Sequence, residues 1–229
     1  MSELSKRLSF IAGLVNEGSS VCDVGTDHGY LPAFLYLSGK VKSVIATDIN
    51  QKPLQSAQKN LERLGADGVK LVLCDGLEKV TRQDADTVII AGMGGEVISG
   101  IISRATFLRD NTVRLILQPT TAAKELRYFL AQNGFAVEQE TALEENGKLY
   151  SVMCVRFANK GYEIDGVRAV IGILKPDSDD AKQYIQKQYR IAQKCANDLS
   201  AVESKQAEYN HYLDLSKKLK NILGGKNGF

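Results

Sequence analysis

The residues best suited to chemistry lie in one stretch, residues 21–32, which reads Val-Cys-Asp-Val-Gly-Thr-Asp-His-Gly-Tyr-Leu-Pro. A short apolar strand runs into a glycine turn, and the turn opens into an apolar helical run over residues 31–37. Strand, glycine turn and helix in this order form the cradle in which α/β folds hold nucleotide-like ligands. Because an unpaired charge is costly inside an apolar strand, Asp23 predicts a partner there: a backbone amide, a cation or a ligand.

The spacing of the glycines indicates which ligand the turn accepts. A dinucleotide-binding turn needs the pattern Gly-x-Gly-x-x-Gly, which lets the backbone approach a pyrophosphate closely. Here Gly25 is followed by Asp27 at the second glycine position and by Tyr30 at the third. The carboxylate of Asp27 would repel a pyrophosphate, whereas a cationic sulfonium ligand with a zwitterionic amino-acid tail would tolerate it. The alternative is an ordinary βα turn whose glycines serve only chain reversal.

A second acidic residue stands at the end of the next predicted strand. Residues 41–49 have the apolar pattern of a strand, and Asp48 at its end lies 23 residues beyond Gly25. An acid at about this distance binds the ribose hydroxyls in α/β nucleotide folds. The alternative is a cap for the helix predicted over residues 53–64, although Asn50 suits that role better.

Two later strands also lead to residues that can approach a ligand. Residues 69–75 predict a third strand, which ends at Asp75. Residues 87–93 predict a fourth strand, which runs into the segment Gly-Met-Gly-Gly-Glu at residues 92–96. This segment also fails as a dinucleotide fingerprint, because Val97 takes the third glycine position, but its glycines let the backbone come close to a ligand.

The order of these elements predicts an α/β fold with a Rossmann-like, mostly parallel sheet. A hairpin predicted over residues 135–141 and 149–157 adds one antiparallel edge strand. Ligands of such sheets bind outside the carboxyl ends of the strands, where the strand order reverses. The residues that fall at those ends are Asp23, Gly25, Asp48, Asp75 and Gly92. Four unrelated segments that converge on one rim indicate a ligand site more strongly than any one of them.

The composition is that of an ordinary soluble globular protein, with 44% hydrophobic and 24% charged residues in a chain of 229. This length suits one sizeable domain, or one domain with an appendage. A formal net charge of +2 is too small to indicate a nucleic-acid binder by charge alone. The longest apolar runs are far shorter than a membrane span, and the N-terminal residues lack the pattern of a signal peptide.

The cysteines and histidines indicate the compartment and argue against a metal site. The four cysteines show no C-x-x-C spacing, and three of them lie in strand-like apolar runs. Reduced core cysteines in a cytoplasmic protein are therefore expected, rather than disulfides or metal ligands. The two histidines, His28 and His211, are too few for a histidine-rich site, so no metal is expected.

The C-terminal part differs from the rest, because residues 177–223 contain no glycine or proline. A set of mostly apolar and aromatic residues recurs there at spacings of three and four, which is the periodicity of the packed seam of a coiled coil: Tyr184, Gln188, Ile191, Cys195, Leu199 and Val202, and then Tyr209, Tyr212, Ser216, Leu219 and Leu223. The pattern changes phase near residues 200–206, and a single helix of this length would be a rod of about 70 Å. Two antiparallel helices are therefore expected, in a domain of residues 161–229 that follows a first domain of residues 1–160.

The tail is mildly basic, since lysine and arginine outnumber aspartate and glutamate by 10 to 7 from Lys175 onward. Such a run of cations is most often a solvated helix face. The alternative is a surface that contacts the phosphates of a nucleic acid. The candidate residues for such contacts are Lys187, Arg190, Lys194, Lys217 and Lys218.

Five short segments occur in an order that resembles the bacterial tRNA (adenine-22-N1)-methyltransferase family. They are Asp-Val-Gly-Thr-Asp-His-Gly-Tyr-Leu-Pro32, Ala-Thr-Asp-Ile49, Cys-Asp-Gly76, Ile-Ala-Gly-Met-Gly-Gly-Glu96 and Leu-Gln-Pro119. The resemblance runs from the Ser-Lys-Arg-Leu8 helix to the helical tail, and Asp-His-Gly-Tyr-Leu-Pro is its most specific part. The chain departs from the broader superfamily at Asp27, where a glycine is usual, and at residues 92–95, which replace Asn-Pro-Pro-Tyr.

The resemblance implies a class I methyltransferase sheet that binds S-adenosylmethionine, followed by a C-terminal helical hairpin. The cofactor site that it implies consists of Asp23, Gly25, Thr26, Gly29, Tyr30, Asp48, Ile49, Asp75, Gly76, Ala91, Gly92 and Met93. Within this set, Gly25 and its neighbours hold the methionine part, Asp48 the ribose and Asp75 the adenine amino group. Residues 91–93 line the methyl-transfer side.

The implied acceptor, adenine N1, has an in-plane lone pair and needs no covalent catalysis. The enzyme has to expose N1, align it with the sulfonium methyl group and exclude water, so the base has to be unpaired or flipped. Because the methylated ring is cationic, a nearby carboxylate would stabilise the developing charge. Asp27 is the first candidate for this role and Glu96 the second. His28 contacts the base or braces the turn, and Tyr30 offers a stacking face or packs in the core.

The expected partner is tRNA, with no membrane contact and no obligate protein partner. Two other functions remain open at this point. One is a class I methyltransferase that acts on another RNA or on a small molecule. The other is a non-catalytic scaffold whose tail binds a partner as a coiled coil, although intact carboxylates at three strand ends argue against it.

Overall fold

A computed structural model describes residues 4–225 of the chain. The strands are β1 (Ser20–Val24), β2 (Ser43–Asp48), β3 (Val69–Leu73), β4 (Thr87–Gly94), β5 (Arg114–Thr121), β6 (Phe135–Glu145) and β7 (Lys148–Phe157). They form one sheet in the order β3-β2-β1-β4-β5-β7-β6. The first five strands of this order are parallel to one another, whereas β7 is antiparallel to both β5 and β6. The strand order reverses between β1 and β4, which is where such sheets bind ligands.

The α-helices of the described residues are α1 (Lys6–Leu14), α2 (Tyr30–Leu37), α3 (Gln51–Leu64), α4 (Gly95–Arg104), α5 (Ala123–Gln132), α6 (Gly166–Ile171), α7 (Asp179–Leu199) and α8 (Gln206–Leu223). Helix α1 precedes the sheet, α2 to α5 lie between strands, and α6 to α8 form the tail. Helix α3 shows why the sequence forms such helices: Leu54, Ala57 and Leu61 recur at the helical period and are buried, and Gly65 ends the helix with a φ of 72°. None of the helices in residues 4–225 has the length and apolar character needed to cross a membrane.

Helices cover both faces of the sheet. On one face α1, α2 and α3 pack against strand residues such as Val21 and Ile116. On the other face α4 and α5 pack against residues such as Cys22 and Leu115. The consecutive residues Val21 and Cys22 thus enter opposite clusters, as the two-residue period of a strand requires.

The tail packs on the sheet through a third apolar cluster. Helices α7 and α8 fold back on each other, and residues 200–205 connect them. This connection lies where the apolar pattern changes phase. Buried residues of α6, α7 and α8 share their cluster with Ala142 of β6, and Leu149 of β7 packs against it. The tail and the end of the sheet therefore have a common core.

The predicted α/β class, the mostly parallel sheet and the helical hairpin are confirmed. The antiparallel strand β7 lies beside the edge, and β6 forms the edge itself. Helix α6 was not predicted, because its six residues are too few to show a helical period. It begins after Asp165, whose carboxylate accepts a hydrogen bond from the Arg168 N–H at 2.8 Å.

Candidate active site

The end of β2 holds the glycine turn that follows β1. The backbone N–H groups of Gly25 and Thr26 both donate to the carbonyl of Thr47, at 2.7 and 3.0 Å. The buried Thr47 hydroxyl donates in turn to the carbonyl of Gly76 at 2.9 Å. Gly25 and Gly76 have φ values of 77° and 57°, in the left-handed region that favours glycine. Thr47 therefore ties the ends of β1 and β2 and the segment after β3 into one rim.

A cavity of about 320 Å³ opens at this rim. Its lining residues are Arg7, Leu8, Asp23, Gly25, Thr26, Asp27, His28, Gly29, Tyr30, Leu31, Ala91 and Gly92. The cofactor residues predicted in segment 23–30 all line this cavity, together with two predicted residues from β4. The structure thus brings two distant segments of the predicted site together, and α1 adds Arg7 and Leu8.

Asp23 lines the cavity although it is only 7% exposed. Burial raises the pKa of its carboxyl group to about 6, against the hydrogen bond from the Thr26 side chain, which lowers it. The group therefore titrates close to neutral pH in the protein alone. A ligand that brings a cation to Asp23 would favour the ionised form and lower this pKa.

Asp48 lies at the neighbouring strand end and is half-buried. Its Oδ1 accepts a hydrogen bond from the Asn50 N–H at 2.7 Å, and Asn50 itself is the N-cap of α3. Leu73 stands opposite Asp48 in the register of β2 and β3. The side chains of Ile49 and Leu73 are 62% and 42% exposed, which leaves an apolar surface beside the carboxylate.

Asp75 lies beyond β3 and has a partner that the sequence did not suggest. Its Oδ1 accepts a hydrogen bond from Arg104 Nη2 of α4 at 2.9 Å, and both side chains are about half exposed. Only the other carboxylate oxygen is outside this ion pair. The predicted role of Asp75 as an acceptor for an adenine amino group stays a prediction for that oxygen.

The irregular last part of β4 is fixed by a buried glutamine. Gln118 Oε1 accepts from the Gly92 N–H at 3.1 Å and from Arg7 Nη1 at 2.6 Å, and its Nε2 donates to the Pro119 carbonyl at 2.9 Å. Gly92 has a φ of 82°, so this position also requires glycine. Met93 of the same part of β4 packs against Gly25, where a Cβ atom would collide with the Met93 Cε atom.

Arg7 reaches the cavity because α1 is anchored to the sheet. Glu145 of β6 accepts the Arg7 backbone N–H at 2.8 Å and pairs with its guanidinium at 3.5 Å. Burial alone would raise the pKa of Glu145, but hydrogen bonds from Arg7 and Ser5 and the charge of Arg7 hold this pKa below its ordinary value. The Arg7 guanidinium also lies 5.7 Å from the centre of the Tyr150 ring.

Of the three predicted catalytic residues, the structure brings two to the cavity and places the third, Glu96, outside its lining. Asp27 and His28 both line the cavity, with Asp27 Oδ2 at 3.3 Å from His28 Nε2 and both side chains exposed. The centres of the His28 and Tyr30 rings are 5.8 Å apart, and the two rings are tilted relative to each other. Glu96 is exposed in the first turn of α4 and is not part of the cavity lining.

The cations predicted to contact a nucleic acid lie away from this cavity, on exposed positions of α7 and α8. They are Lys187, Arg190, Lys194, Lys217 and Lys218. Lys218 is paired with Asp214 at 2.8 Å, one helical turn before it. Lys187 lines a second cavity, which lies between α7 and the end of β5.

Sequence reasoning missed Arg7, Gln118 and Arg104 as site residues. Gln118 belongs to the Leu-Gln-Pro segment that carried part of the resemblance, which is the one signal that could have identified it. Arg7 lies in a predicted helix, but no local pattern indicates where that helix packs. Arg104 stands 29 residues from its partner Asp75, and only the tertiary structure joins them.

Comparisons with known proteins agree with this geometry. Residues 4–153 match the family described as a methyltransferase domain. The tRNA (adenine(22)-N(1))-methyltransferase of Bacillus subtilis (strain 168) is 35% identical over 173 residues, which cover 75% of this chain and 73% of that protein. The crystal structure of the B. subtilis m1A22 tRNA methyltransferase gives a TM-score of 0.84 at 27% identity, over 97% of this chain and 100% of that one.

A second solved structure contains a cofactor. It is a Streptococcus pneumoniae candidate tRNA (m1A22) methyltransferase in complex with S-adenosyl-L-methionine, with a TM-score of 0.80 at 32% identity. The match covers 96% of this chain and 100% of that one. From the matched domain and the 35% identical relative, the chain belongs to the tRNA (adenine-22-N1)-methyltransferase family.

Proposed function

We infer that the protein transfers the methyl group of S-adenosylmethionine to N1 of adenine 22 in tRNA, as the name of its B. subtilis relative states for that protein. The observation that carries this inference is the cavity at the strand-order reversal, where the turn after β1 meets the last part of β4. The same chain belongs to the family in which a relative binds the methyl donor.

The residues of the cavity and of the neighbouring end of β2 fit this cofactor. The buried carboxyl group of Asp23 suits the ammonium group of an amino-acid tail, which would be a charge-assisted hydrogen bond. Asp48 offers its second oxygen to the ribose hydroxyls, and exposed Ile49 offers an apolar surface to the adenine ring. When bound, the cofactor supplies an electrophilic methyl group on its sulfonium sulfur.

Methylation of adenine N1 requires that the protein position the base, and it requires no covalent bond between the base and the protein. The glycines of residues 92–95 let the backbone approach the base closely, and Gln118 holds Gly92 in place. Because the methylated ring is cationic, we assign charge stabilisation to Asp27, with Glu96 as the second candidate. His28, at 3.3 Å from Asp27, either orients this carboxylate or contacts the base.

We assign most of the tRNA-binding surface to the tail, residues 161–229. Residues 1–160 carry every proposed cofactor contact. A flipped adenine provides little contact area, so most of the affinity for a large RNA comes from its phosphates. The exposed side chains of Lys187, Arg190 and Lys194 lie along α7 and suit that role. The four free thiols and the tRNA substrate support a cytoplasmic location.

A methylation assay with radiolabelled cofactor tests this function. The pure protein should label unmodified tRNA and leave ribosomal RNA unlabelled, and titration calorimetry should detect S-adenosylmethionine binding but not NAD binding. Label in ribosomal RNA alone would indicate a different methyltransferase. Saturable NAD binding without binding of the methyl donor would exclude a methyltransferase altogether.

A further inference from the structure

A groove of about 370 Å³ lies between the end of β5 and the face of α7, separate from the cofactor cavity. Its walls come from the segment Pro119–Ala122, from Tyr150 of β7 and from Lys187, Ile191 and Cys195 of α7. The first part of the chain and the tail therefore both contribute to it.

The groove adjoins the turn on which methyl transfer is proposed. In the register of β4 and β5, Met93 pairs with Pro119 and Gly94 pairs with Thr121. Pro119 and Thr121 line the groove, so the glycine turn and the groove wall are neighbouring strand ends. Arg7 stands between the two spaces, because it lines the cofactor cavity and lies over the ring of Tyr150.

The lining has the mixed chemistry that suits a nucleotide. Tyr150 and Tyr212 provide aromatic surface, and Thr120 and Gln188 provide hydrogen-bonding groups. Such a combination of stacking surface and polar edges is how proteins hold single unpaired bases. A volume of about 370 Å³ leaves room for one nucleotide rather than for a helix or a strand of a protein partner.

The charges of the groove favour an anionic ligand. Lys124 and Lys187 are in its lining, and Glu125 is the one acidic lining residue. The guanidinium of Arg127 is also in the wall, but it is buried and paired with Glu140. Two lysines against one glutamate leave a positive balance, which suits a phosphate.

Ile191 is the clearest sign that this surface has an occupant. Its spacing in the tail predicts a buried position, yet the side chain is 46% exposed and forms part of the groove wall. An apolar side chain exposed on a helix whose other apolar side chains are buried or half-buried is available for a ligand.

We propose that this groove binds one unpaired nucleotide of the RNA substrate, adjacent to the adenosine that is methylated. The base packs against Ile191 and the nearby tyrosines, and the phosphate lies near Lys187. The inference rests on the proposed function, since it needs RNA as the substrate. It adds a specificity subsite, because an RNA that keeps this neighbouring nucleotide paired cannot fill the groove while its adenosine reaches the cofactor.

Cys195 allows the groove to be tested directly. It lines the groove and is partly exposed, whereas Cys22, Cys74 and Cys154 are buried, so a small neutral alkylating reagent should label Cys195 first. Saturating tRNA, verified by filter binding, should slow this labelling at least about fivefold, and S-adenosylhomocysteine alone should not. An unchanged labelling rate with bound tRNA overturns the proposal.

A matched pair of substitutions provides the second test. Ile191→Gln should raise the KM for tRNA roughly fivefold or more, the lower end expected for loss of a base contact, and leave the KM for the cofactor unchanged. Val202→Gln is the control, because Val202 is also exposed, at 39%, but lies in the connection to α8. Equal KM values for tRNA in both variants and the wild type contradict the proposal.

The two tests separate this proposal from the proposed function. A protein that methylates tRNA with neither Cys195 protection nor an effect of Ile191→Gln has the function without the subsite. A protein that methylates no tRNA lacks the function, and the subsite proposal falls with it. Circular dichroism of each variant excludes misfolding as the cause of a raised KM.

Discussion

At the scale of single residues, Asp23 should make cofactor binding depend on pH. Its pKa is raised to about 6 by burial, and a cation next to it favours the ionised carboxylate. The affinity for S-adenosylmethionine should therefore fall as the pH is lowered through 6. Titration calorimetry between pH 5 and 8 measures this affinity. In the matched variant Asp23→Asn, the affinity should be lower and should not change with pH. Parallel profiles for the two proteins would show that Asp23 is not the titrating group.

The same pKa gives the sign of a stability effect in the protein without cofactor. The folded-state pKa of about 6 lies above the value of roughly 3.9 for an unfolded chain, so Asp23 contributes stability that is fully present below pH 4. This contribution is lost as the pH rises through 6. Urea unfolding of Asp23→Asn should consequently depend less on pH over that window than unfolding of the wild type does.

Asp27 should affect turnover more than cofactor binding. Its carboxylate lines the cavity beside His28, at a position where related turns have glycine, and it is proposed to stabilise the cationic product. Asp27→Asn should lower kcat roughly tenfold or more while the cofactor Kd stays within about twofold. Asp67→Asn is the matched control, because Asp67 is exposed two residues before β3, at the opposite end of the strands from the cavity. Full turnover in Asp27→Asn, or a loss confined to cofactor affinity, would remove Asp27 from this role.

At the scale of elements, helix α7 should contribute to the salt dependence of tRNA binding. Lys187, Arg190 and Lys194 are exposed on it and are proposed to contact phosphates. Reversing each charge to Glu should flatten the slope of log affinity against log salt by up to about 0.7–0.9 per lost contact. Lys42→Glu is the control, because Lys42 is exposed directly before β2, at the end of that strand opposite the cofactor rim. An equal change in the control would indicate a general charge effect.

The strand ends were predictable because their signals are local. An acid or a glycine directly after an apolar run marks Asp23, Asp48 and Asp75, and the parallel topology then places these ends on one rim. The contacts of Gln118 with Arg7 and Gly92 were not predictable, because they join residues 111 and 26 positions apart in the chain. Such contacts depend on how the elements pack.

Helix α7 of the tail shows that packing also decides which residues of a single helix are buried. The apolar spacing and the phase change of the tail predicted two helices, which the structure confirms. The spacing also placed Ile191 on the buried stripe, but this residue is 46% exposed. Helix α7 packs against both α8 and the sheet, so its buried face passes through Ile185, Ala192 and Ala196 instead.

At the scale of the whole molecule, Arg127 joins the tail to the sheet. Its guanidinium pairs with Glu140 of β6 and donates to the Ala169 carbonyl of α6 and to the Tyr184 hydroxyl of α7. Burial alone would lower the pKa of Arg127, but Glu140 and Tyr184 raise it above its ordinary value. Both charged side chains are almost fully buried, so removal of one leaves the other as an unpaired buried charge.

Arg127→Met should therefore destabilise the protein by about 3–5 kcal/mol, whereas the double variant with Glu140→Gln should recover part of the loss.

Urea unfolding followed by circular dichroism and by tyrosine fluorescence should give one coincident transition in the wild type, because the tail and the sheet share a core. Two separate transitions would show that the tail unfolds independently. The boundary between residues 160 and 161 stays a prediction.

Mapping the methyl group on tRNA shows which base the protein modifies. Unmodified tRNA is incubated with the pure protein and S-adenosylmethionine, and primer extension then locates the base whose Watson–Crick edge is blocked. We expect one blocked adenosine, at position 22 as in the named relative, with a signal that Asp48→Ala strongly reduces at limiting cofactor. Methylation at another position, on another base, or undiminished in Asp48→Ala would contradict this expectation.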